Sequence, residues 1–234
     1  GARFRNVSFD VHAGEVVGVA GVSGNGQSEL LEILSGMRPP SGGWVRVRDA
    51  TGFAAANARS LGVAQVPEDR LRHGVIGSFS AADNVILGYA GRSEYGRWLL
   101  DRAAIDAACA RLMQEHDVRP ARPDLPLGAF SGGNQQKLVL ARELEADPAV
   151  LLVGQPTRGV DVGAIEHIHR RLRALRDAGK AILLVSVELD EILALSDRVV
   201  VMVDGLIVGE LAREDATEER LGLLLAGVRP GGAT

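Results

Sequence analysis

Near its start the chain passes from a short apolar run into a glycine-rich loop and then into helical spacing, an order that few folds accept. Residues 15–20 have the length and apolar content of a buried strand, and glycines crowd residues 21–26 directly after it. From Ser28, leucines recur at helical intervals. Strand-length apolar runs return at residues 150–153 and 181–185, each followed by a helical pattern. Strands alternating with helices predict an α/β fold whose mostly parallel sheet is covered on both faces.

The start, middle and end of the chain depart from this alternation. Residues 7–11 alternate apolar and polar side chains and predict a strand. Asp204-Gly205, a favoured two-residue turn, separates two apolar runs and predicts an antiparallel hairpin. Residues 83–115 read as helical, with Asp101 as the N-cap of the last part. We therefore expect a mostly parallel sheet core with an antiparallel β edge and an inserted helical subdomain.

Charge and composition limit the partners of the chain. Its net charge of −4 gives no overall basic field of the kind that gathers nucleic acid, so no nucleic-acid partner is expected. The single cysteine, Cys109, rules out an internal disulfide and a multi-cysteine metal site, and we expect it to be a small buried residue. Apolar runs such as residues 181–185 and 199–203 are far shorter than the ~20 residues that a membrane-spanning helix needs. Any membrane role therefore requires another subunit.

The glycine-rich loop has the spacing of a phosphate-binding turn. Residues 21–28 match the pattern G-x-x-x-x-G-K-[ST] except at the lysine, where Gln27 stands. Glycines let backbone N–H groups converge on phosphate oxygens, and Ser28 is in place to bind Mg²⁺. A ligand-free turn is an equal alternative for an isolated motif without its lysine, but the strand before it and the helix after it favour phosphate binding. The expected nucleotide-binding residues are Gly21, Ser23, Gly24, Asn25, Gly26, Gln27, Ser28 and Glu29.

Gln27 changes what such a loop can do. A charged hydrogen bond contributes ~1.5–3 kcal/mol and a neutral one ~1 kcal/mol, so phosphate binding should weaken roughly tenfold or more. The loss in catalysis should be larger, because charge builds up on the phosphate oxygens during transfer. The chain has few lysines, Lys137 and Lys180, but a lysine-poor composition would favour arginine and not glutamine at this position.

A second glycine motif opens a predicted helix. Ser131 is followed by Gly132 and Gly133, and this pattern indicates either a simple N-cap or an anion site made by the first N–H groups of the helix. In isolation the N-cap interpretation is favoured. The strand at residues 150–153, followed by Gln-Pro-Thr-Arg-Gly-Val-Asp at residues 155–161, changes this balance toward an anion site.

In this order the segments resemble the ATP-binding-cassette (ABC) transporter ATPases. Residues 21–28 resemble Walker A, residues 130–136 the signature, residues 150–155 Walker B and residues 160–161 the D-loop. The resemblance spans nearly the whole chain and implies a P-loop NTPase (RecA-like) fold. Within the family the chain is most similar to the second, C-terminal nucleotide-binding half of fused sugar and nucleoside importers. The segments that carry this closer match are residues 24–30, 66–70, 131–137 and 155–164.

Four positions depart from the active members of this family. There Walker B ends in an aspartate for Mg²⁺ and a glutamate for the attacking water, whereas this chain has Gly154 and Gln155. The Q-loop glutamine position falls on Glu68, with Gln65 as an alternative alignment, and the switch histidine falls on Val187. Loss of a general base alone costs about 10²–10⁴ in rate, and such groups act as a unit. The resemblance therefore implies no intact catalytic residue in the chain's own site and a weak or inactive isolated domain.

The resemblance also implies a composite site. Family members dimerise head to tail, so each ATP lies between Walker A of one half and the signature of the other. This chain would lend its signature and the D-loop residue Asp161 to a competent partner half, and would hold ATP and Mg²⁺ weakly itself, with Ser28 as the metal ligand. The expected signature residues are Ser131, Gly132, Gly133, Asn134 and Gln135. The implied partners are a second ATPase half, fused N-terminally, integral-membrane permease subunits and, indirectly, a solute-binding protein, with the ATPase in the cytoplasm at the inner face of the plasma membrane.

The implied domains are an ATP-binding core with an antiparallel β subdomain, residues 1–72 and 148–234, and a helical signature subdomain, residues 73–147. The family's adenine-stacking aromatic residue would precede this sequence, so we expect a fragment of a longer two-half protein in which Phe4 either replaces that residue or packs. Residues 79–84, with Tyr89 after them, either meet the membrane subunit or pack within the helical subdomain.

The expected function is ATP-driven import of a sugar or nucleoside. Two alternatives remain. One is a scaffold half that never touches nucleotide. The other is a soluble ABC ATPase of DNA repair or translation, although such proteins usually carry coiled-coil or basic insertions that this sequence lacks.

Overall fold

The computed structural model of the chain describes residues 6–52, 54–96 and 98–228, and Phe4 lies outside them. The strands are β1 Val16–Ala20, β2 Arg46–Val47, β3 Ala50–Thr51, β4 Val63–Val66, β5 Val150–Gly154, β6 Ala181–Ser186, β7 Arg198–Val203 and β8 Leu206–Ala212. The α-helices are α1 Gln27–Leu34, α2 Ala55–Ala58, α3 Ala81–Val85, α4 Arg102–Glu115, α5 Gly132–Glu145, α6 Val162–Asp177, α7 Leu189–Leu195 and α8 Glu218–Leu225.

One sheet of six strands has the order β4-β5-β6-β1-β7-β8. Neighbouring strands are parallel except for the antiparallel β7–β8 pair at the edge. The predicted α/β fold with a mostly parallel sheet and an antiparallel edge is therefore confirmed. The carboxyl ends of parallel strands lie on one edge of a sheet, which brings together the loops that follow β1, β4, β5 and β6.

The chain divides into two compact units. The first unit comprises Gly1–Glu68, Pro148–Gln155 and Arg171–Thr234, and the second unit comprises Asp69–Asp147 and Pro156–Arg170. The whole six-stranded sheet belongs to the first unit. Its strands are nearly continuous apolar runs because side chains of a parallel sheet are buried on both faces. The apolar core around β1 and α1 includes Val17, Val19, Leu30, Leu31, Leu183, Val200 and Met202.

Polar contacts, some of them buried, hold the helices of the second unit. The carboxylate of Asp101 accepts a hydrogen bond from the N–H of Ala104, which confirms the predicted N-cap of α4. On α5, Arg142 donates from Nε to Glu143 at 2.8 Å, and the hydroxyl of Tyr89 donates to the same carboxylate at 2.7 Å. Cys109 is fully buried, as predicted, and burial raises the pKa of its thiol to about 12.

Two predicted elements are wrong. Residues 7–11 form no strand; Val7, Phe9 and Val11 pack against the core of the first unit without pairing to a neighbouring strand, so their alternation reflects one-sided burial only. The helix predicted over residues 83–115 is interrupted between Val85, where α3 ends, and Arg102, where α4 begins. Glycines in the left-handed region occur in this interval, including Gly88 with φ 82° and Gly96 with φ 114°, and a right-handed helix cannot continue through them.

Candidate functional site

The loop after β1 presents uncapped backbone donors at the start of α1. Gly26 is the N-cap, with φ 106°, and among the described residues no side chain caps this helix end. Gly24 has φ 90°, and a Cβ at this position would meet no atom of the described residues within 4 Å. Free N–H groups at a helix N-terminus beside open space are what an anion such as a phosphate requires. The loop therefore fits the phosphate chain of a nucleotide.

The side chain of Gln27 hydrogen-bonds back to the loop that precedes it. Its side chain is only 4% exposed, and Nε2 donates to the carbonyl oxygen of Val22 at 3.1 Å. A Cβ at Gly21 would collide with the same amide, so the two positions fit each other. Asn25 is also buried, and its carbonyl accepts the N–H of Gly205 at 2.9 Å. Glutamine therefore stabilises the loop through a neutral hydrogen bond and adds no positive charge at its mouth.

The hydroxyl of Ser28 is hydrogen-bonded to Glu68. Ser28 Oγ donates to a carboxylate oxygen of Glu68, a residue that follows β4. Gln65, the alternative for this position, lies inside β4 opposite Leu152. Glu68 is therefore the residue that reaches the predicted metal ligand.

Gly154 ends β5 without room for a side chain. A Cβ at this position would lie 2.8 Å from Cδ1 of Leu31 and 3.0 Å from the backbone nitrogen of Glu68. It would lie closer still to Cγ of Glu68. The absence of a carboxylate at position 154 is thus matched by the packing around it.

Gln155 and Val187 are in direct contact. Gln155 has φ 46°, a left-handed conformation that is uncommon for a residue with a side chain. Its N–H donates to Val185 O at 2.8 Å, and its side-chain Oε1 accepts the N–H of Val187 at 3.3 Å. The structure thus brings together the predicted water-activating position and the predicted switch position. Neither side chain can accept or release a proton at neutral pH, so this pair cannot act as an acid or base.

Glu29 completes the predicted nucleotide-binding set in the first unit. It lies in the first turn of α1 and is partly buried. A carboxylate in the first turn stabilises a helix through its dipole. Ser23, in the loop before the helix, is exposed.

In the second unit, Ser131 is the N-cap of α5. Its Oγ accepts the backbone N–H of Asn134 at 3.4 Å and the side-chain Nδ2 of Asn134 at 2.8 Å. Oδ1 of Asn134 in turn accepts the N–H of Arg119 at 2.7 Å. Asn134 therefore orients the serine and anchors the preceding loop.

Gln135 is buried under the start of α5. Nε2 donates to the carbonyl oxygens of Leu127 at 3.2 Å and Phe130 at 3.0 Å, and Oε1 accepts from Nε of Arg70 at 3.4 Å. Of the predicted signature residues, Ser131 is exposed, Gly132 is partly buried and Gly133 is buried, while Gln135 shapes the loop from below.

Arg70 was not identified from the sequence as a site residue. Its Nη1 donates to Arg158 O at 2.8 Å and its Nη2 to Gly159 O at 3.5 Å. Burial lowers the pKa of the guanidinium, the Asp69 charge opposes this, and Arg158 adds to it. A Cβ at Gly132 would lie 2.5 Å from Nη2. Arg70 therefore joins the segment after β5 to the start of α5. Only the Glu-Asp-Arg sequence at residues 68–70 could have pointed to it.

Asp161 lies beside the same helix start. Its Oδ1 accepts the N–H of Ala164 at 2.9 Å in the first turn of α6, and a Cβ at Gly133 would lie 2.7 Å from its Oδ2. The predicted D-loop and signature residues are thus brought together within the second unit, and both glycines are required by close neighbours.

Residues 79–84 and Tyr89, which the sequence assigns either to contact with a membrane subunit or to internal packing, make internal contacts at most of their polar positions. Asn84 is buried and donates from Nδ2 to Ile76 O and Ser80 O, both at 3.0 Å, and Tyr89 is buried against Glu143. Phe79 is 47% exposed. These contacts favour packing for Asn84 and Tyr89.

Within the described ranges, no helix is both long and apolar enough to cross a membrane. The same part of the chain contains no group of three or more histidine, cysteine, aspartate or glutamate side chains placed to hold a metal ion. A cation bound at Ser28 would thus need further oxygen atoms from a molecule bound beside it, such as the phosphates of a nucleotide.

Curated relatives resemble this chain over nearly its whole length. The chain is 44% identical to the nucleoside import ATP-binding protein NupA of Lactococcus lactis subsp. cremoris (strain MG1363), covering 96% of the chain and 45% of that protein. It is 40% identical to the guanosine import ATP-binding protein NupO of Bacillus subtilis (strain 168), covering 95% and 44%. For the ribose import ATP-binding protein RbsA 2 of Rubrobacter xylanophilus the identity is 43%, covering 97% and 44%. The chain spans less than half of the length of these relatives.

Solved structures and a family model agree on the fold. A nucleotide-free ATP-binding cassette from an ABC transporter has a TM-score of 0.77 at 21% identity, covering 96% of this chain and 89% of that one. The dimeric post-hydrolysis cassette MJ0796 bound to ADP and Pi also has a TM-score of 0.77 at 21% identity, covering 90% of each chain. The family model described as ABC transporter matches residues 4–158. The chain therefore belongs to the ABC transporter family and has the fold of an ATP-binding cassette.

Proposed function

We propose that this chain is one cassette of a two-cassette ATPase that drives import of a sugar or nucleoside. The import functions in the names of the relatives, at 40–44% identity over nearly the whole chain, support this solute class. The closer motif resemblance supports assignment as the second, C-terminal cassette. The first cassette, the permease subunits and a solute-binding protein are the partners, and the ATPase works at the inner face of the plasma membrane.

The division of labour between the cassettes is asymmetric. In this chain two side-chain hydrogen bonds fix the start of α5 in a conformation suited to anion binding. Asn134 donates to the hydroxyl of Ser131, and Gln135 donates to the carbonyl oxygen of Phe130 in the loop before the helix. The contact that carries the proposal is the one between the side chain of Gln155 and the N–H of Val187, because it joins the two catalytic positions through groups that cannot transfer a proton. This cassette therefore lends its signature to ATP held by the partner and does not hydrolyse ATP in its own site.

Within the chain, residues 1–72 and 148–234 serve nucleotide binding and residues 73–147 carry the signature. This functional division differs from the division by compactness, in which Pro156–Arg170 groups with the second unit. Asp161 thus serves the partner's nucleotide together with the signature.

The chain's own phosphate-binding loop, residues 21–28, holds ATP without hydrolysing it, and we call this non-hydrolysing site the clasp. The uncapped N–H groups of α1 and the open space at Gly24 support nucleotide binding, and Gln27 lowers its strength. The alternative is a nucleotide-free scaffold. A calorimetric titration of the chain with ATP and Mg²⁺ separates the two, since only the clasp gives a saturable signal.

Ser131→Arg tests the composite site. The larger side chain would occupy the place of the transferred phosphate at the start of α5, where oriented N–H donors act on developing charge. We expect ATP hydrolysis by the complete two-cassette assembly to fall roughly a hundredfold or more. Gln27→Ala removes one neutral hydrogen bond from the clasp and should lower the same rate less than about tenfold. Phosphate release is the measurement.

Ser93→Arg is the matched control, because Ser93 is an exposed serine of the same unit at the start of a short 3-10 helix. It should leave phosphate release unchanged. Normal hydrolysis in the Ser131→Arg assembly would reject the composite site.

A further inference from the structure

The guanidinium of Arg70 has three acceptors on two segments of the second unit. Nη1 donates to Arg158 O at 2.8 Å, and Nη2 donates to Gly159 O at 3.5 Å. Nε donates at 3.4 Å to Oε1 of Gln135, near the start of α5. One planar group thus joins the segment that leads into Asp161 to the helix start that carries the predicted signature.

Two glycines flank this guanidinium. A Cβ at Gly132 would lie 2.5 Å from Nη2 of Arg70 and 2.6 Å from the carbonyl oxygen of Gly159. Gly159 has φ 68°, in the left-handed region, and a Cβ there would lie 3.7 Å from the same nitrogen. Space therefore requires glycine at position 132, and the backbone favours glycine at position 159. The two segments approach Arg70 so closely that the shape of its side chain sets their spacing.

The bonding pattern of Arg70 depends on the geometry of a guanidinium. Arginine presents five N–H donors on three nitrogen atoms in a fixed plane, whereas lysine carries all its donors on one nitrogen atom. A lysine at this position would keep the positive charge near the start of α5. It could not reproduce hydrogen bonds that leave from Nε, Nη1 and Nη2 in different directions. One substitution therefore separates the charge of this residue from its shape.

We infer that Arg70 is a positioning residue for hydrolysis of the ATP held by the partner cassette, because it fixes the predicted D-loop and signature at one spacing. The inference rests on the proposed composite site, in which both segments serve the same nucleotide. Arg70 acts through the N–H groups at the start of α5 and through Asp161, so its shape matters more than its charge. A misplacement of about 1 Å in a catalytic site can cost on the order of 10² in rate.

Arg70→Lys and Arg70→Gln test the inference in the complete two-cassette assembly, with phosphate release measured over a range of ATP concentrations. We expect both variants to lower kcat roughly tenfold or more. The KM for ATP should change less than about threefold, because the partner holds the nucleotide in its own phosphate-binding loop. A role of the charge alone predicts instead that Arg70→Lys keeps the wild-type kcat, and that result would reject the positioning role.

Arg72→Gln is the matched control, since Arg72 is an exposed arginine of the same short segment, Arg70–Gly74. It should leave both kcat and KM unchanged, and a loss equal to that in Arg70→Gln would count against the inference.

Ser131→Arg separates this inference from the proposed function. If Ser131→Arg abolishes hydrolysis while both Arg70 variants keep the wild-type rate, only the role of Arg70 is rejected. If the Ser131→Arg assembly hydrolyses ATP normally, the composite site is rejected and the role of Arg70 with it.

Hydrogen exchange of the same assembly distinguishes local positioning from a loss of overall stability. The N–H of Val160 donates to Thr157 O, and the N–H of Asn134 donates to Ser131 Oγ, one in each of the two joined segments. Arg70→Lys should speed exchange at both N–H groups roughly fivefold or more. Exchange in the buried positions of α4 should keep the wild-type rate. Acceleration of α4 by the same factor would mean that Arg70 only stabilises the second unit, and would contradict its positioning role.

Discussion

At the residue scale, the two glycines of the predicted signature are fixed by neighbours that are distant in sequence. Arg70 approaches Gly132, and Asp161 approaches Gly133. A glycine-glycine pair at a helix start is recognisable in the sequence as a possible anion site. The guanidinium and carboxylate beside it are not recognisable, because their place depends on the path of the chain between them. Arg70 and Gln135, for example, are separated by 65 positions.

Gly132→Ala should therefore destabilise the chain. The new Cβ would lie 2.5 Å from Nη2 of Arg70 and 2.6 Å from the carbonyl oxygen of Gly159, and overpacking of this kind costs about 1–3 kcal/mol. Urea unfolding should show a lower midpoint. The matched substitution Gly163→Ala, near the start of α6, brings a Cβ no closer than 3.4 Å to Asp161 Oδ1 and should cause no loss. Equal losses in both variants would contradict the role of Arg70.

At the element scale, elements with a local signal were predicted well. Capping side chains identify the starts of α4 and α5 in the sequence, and the structure contains both caps. Asp204 and Gly205 have φ 48° and 75°, as a tight hairpin turn requires. Residues 7–11 were predicted wrongly because an alternating pattern reports one-sided burial and cannot show whether a partner strand is available.

Arg198 ties the sheet edge to the start of the chain. Its Nε donates to Glu15 Oε1 at 2.9 Å, its Nη2 donates to Asp10 O at 2.6 Å, and it also pairs with Glu210 on β8. Burial raises the pKa of Glu15. The hydrogen bonds from Arg198 and from the His12 N–H, together with the charge of Arg198, lower the pKa by more than burial raises it, so the net pKa is below its ordinary value of 4.5.

Glu15→Gln should lower stability near neutral pH by roughly 1 kcal/mol or less, since the pair is partly exposed. A carboxyl whose pKa is lowered by folding contributes stability above its unfolded pKa and loses that contribution as pH falls through the folded value. The difference in unfolding free energy between wild type and variant should therefore be full above pH 4.5 and shrink below it. Glu214→Gln, at an exposed glutamate, should show no such change. A difference that persisted unchanged in acid would rule out the charge as its source.

At the scale of the whole molecule, catalytic competence depends on several strand ends at once. Gln27 begins the helix after β1, and the loops after β4, β5 and β6 supply Glu68, Gln155 and Val187. The sequence identifies these four positions only through family motifs. The sequence could place these positions at one sheet edge, because parallel strands end together. It could not show that Glu68 fills the space beside Gly154 or that Gln155 bonds to Val187, since both depend on side-chain packing.

Gln155→Glu tests this dependence. Glutamate keeps an oxygen acceptor for the N–H of Val187, so the unfolding midpoint should change little. It also restores the carboxylate that activates water in active family members. We nevertheless expect phosphate release by the chain to stay at the wild-type level, because Gln27 gives no charge to the phosphates and Val187 cannot assist proton transfer. When catalytic groups act as a unit, restoring one of them alone raises the reaction rate very little. Gln65→Glu, which adds the same charge on β4, serves as the control. A gain in phosphate release of more than about tenfold over that control would mean that the missing base alone had silenced this site, since one general base is worth about 10²–10⁴ in rate.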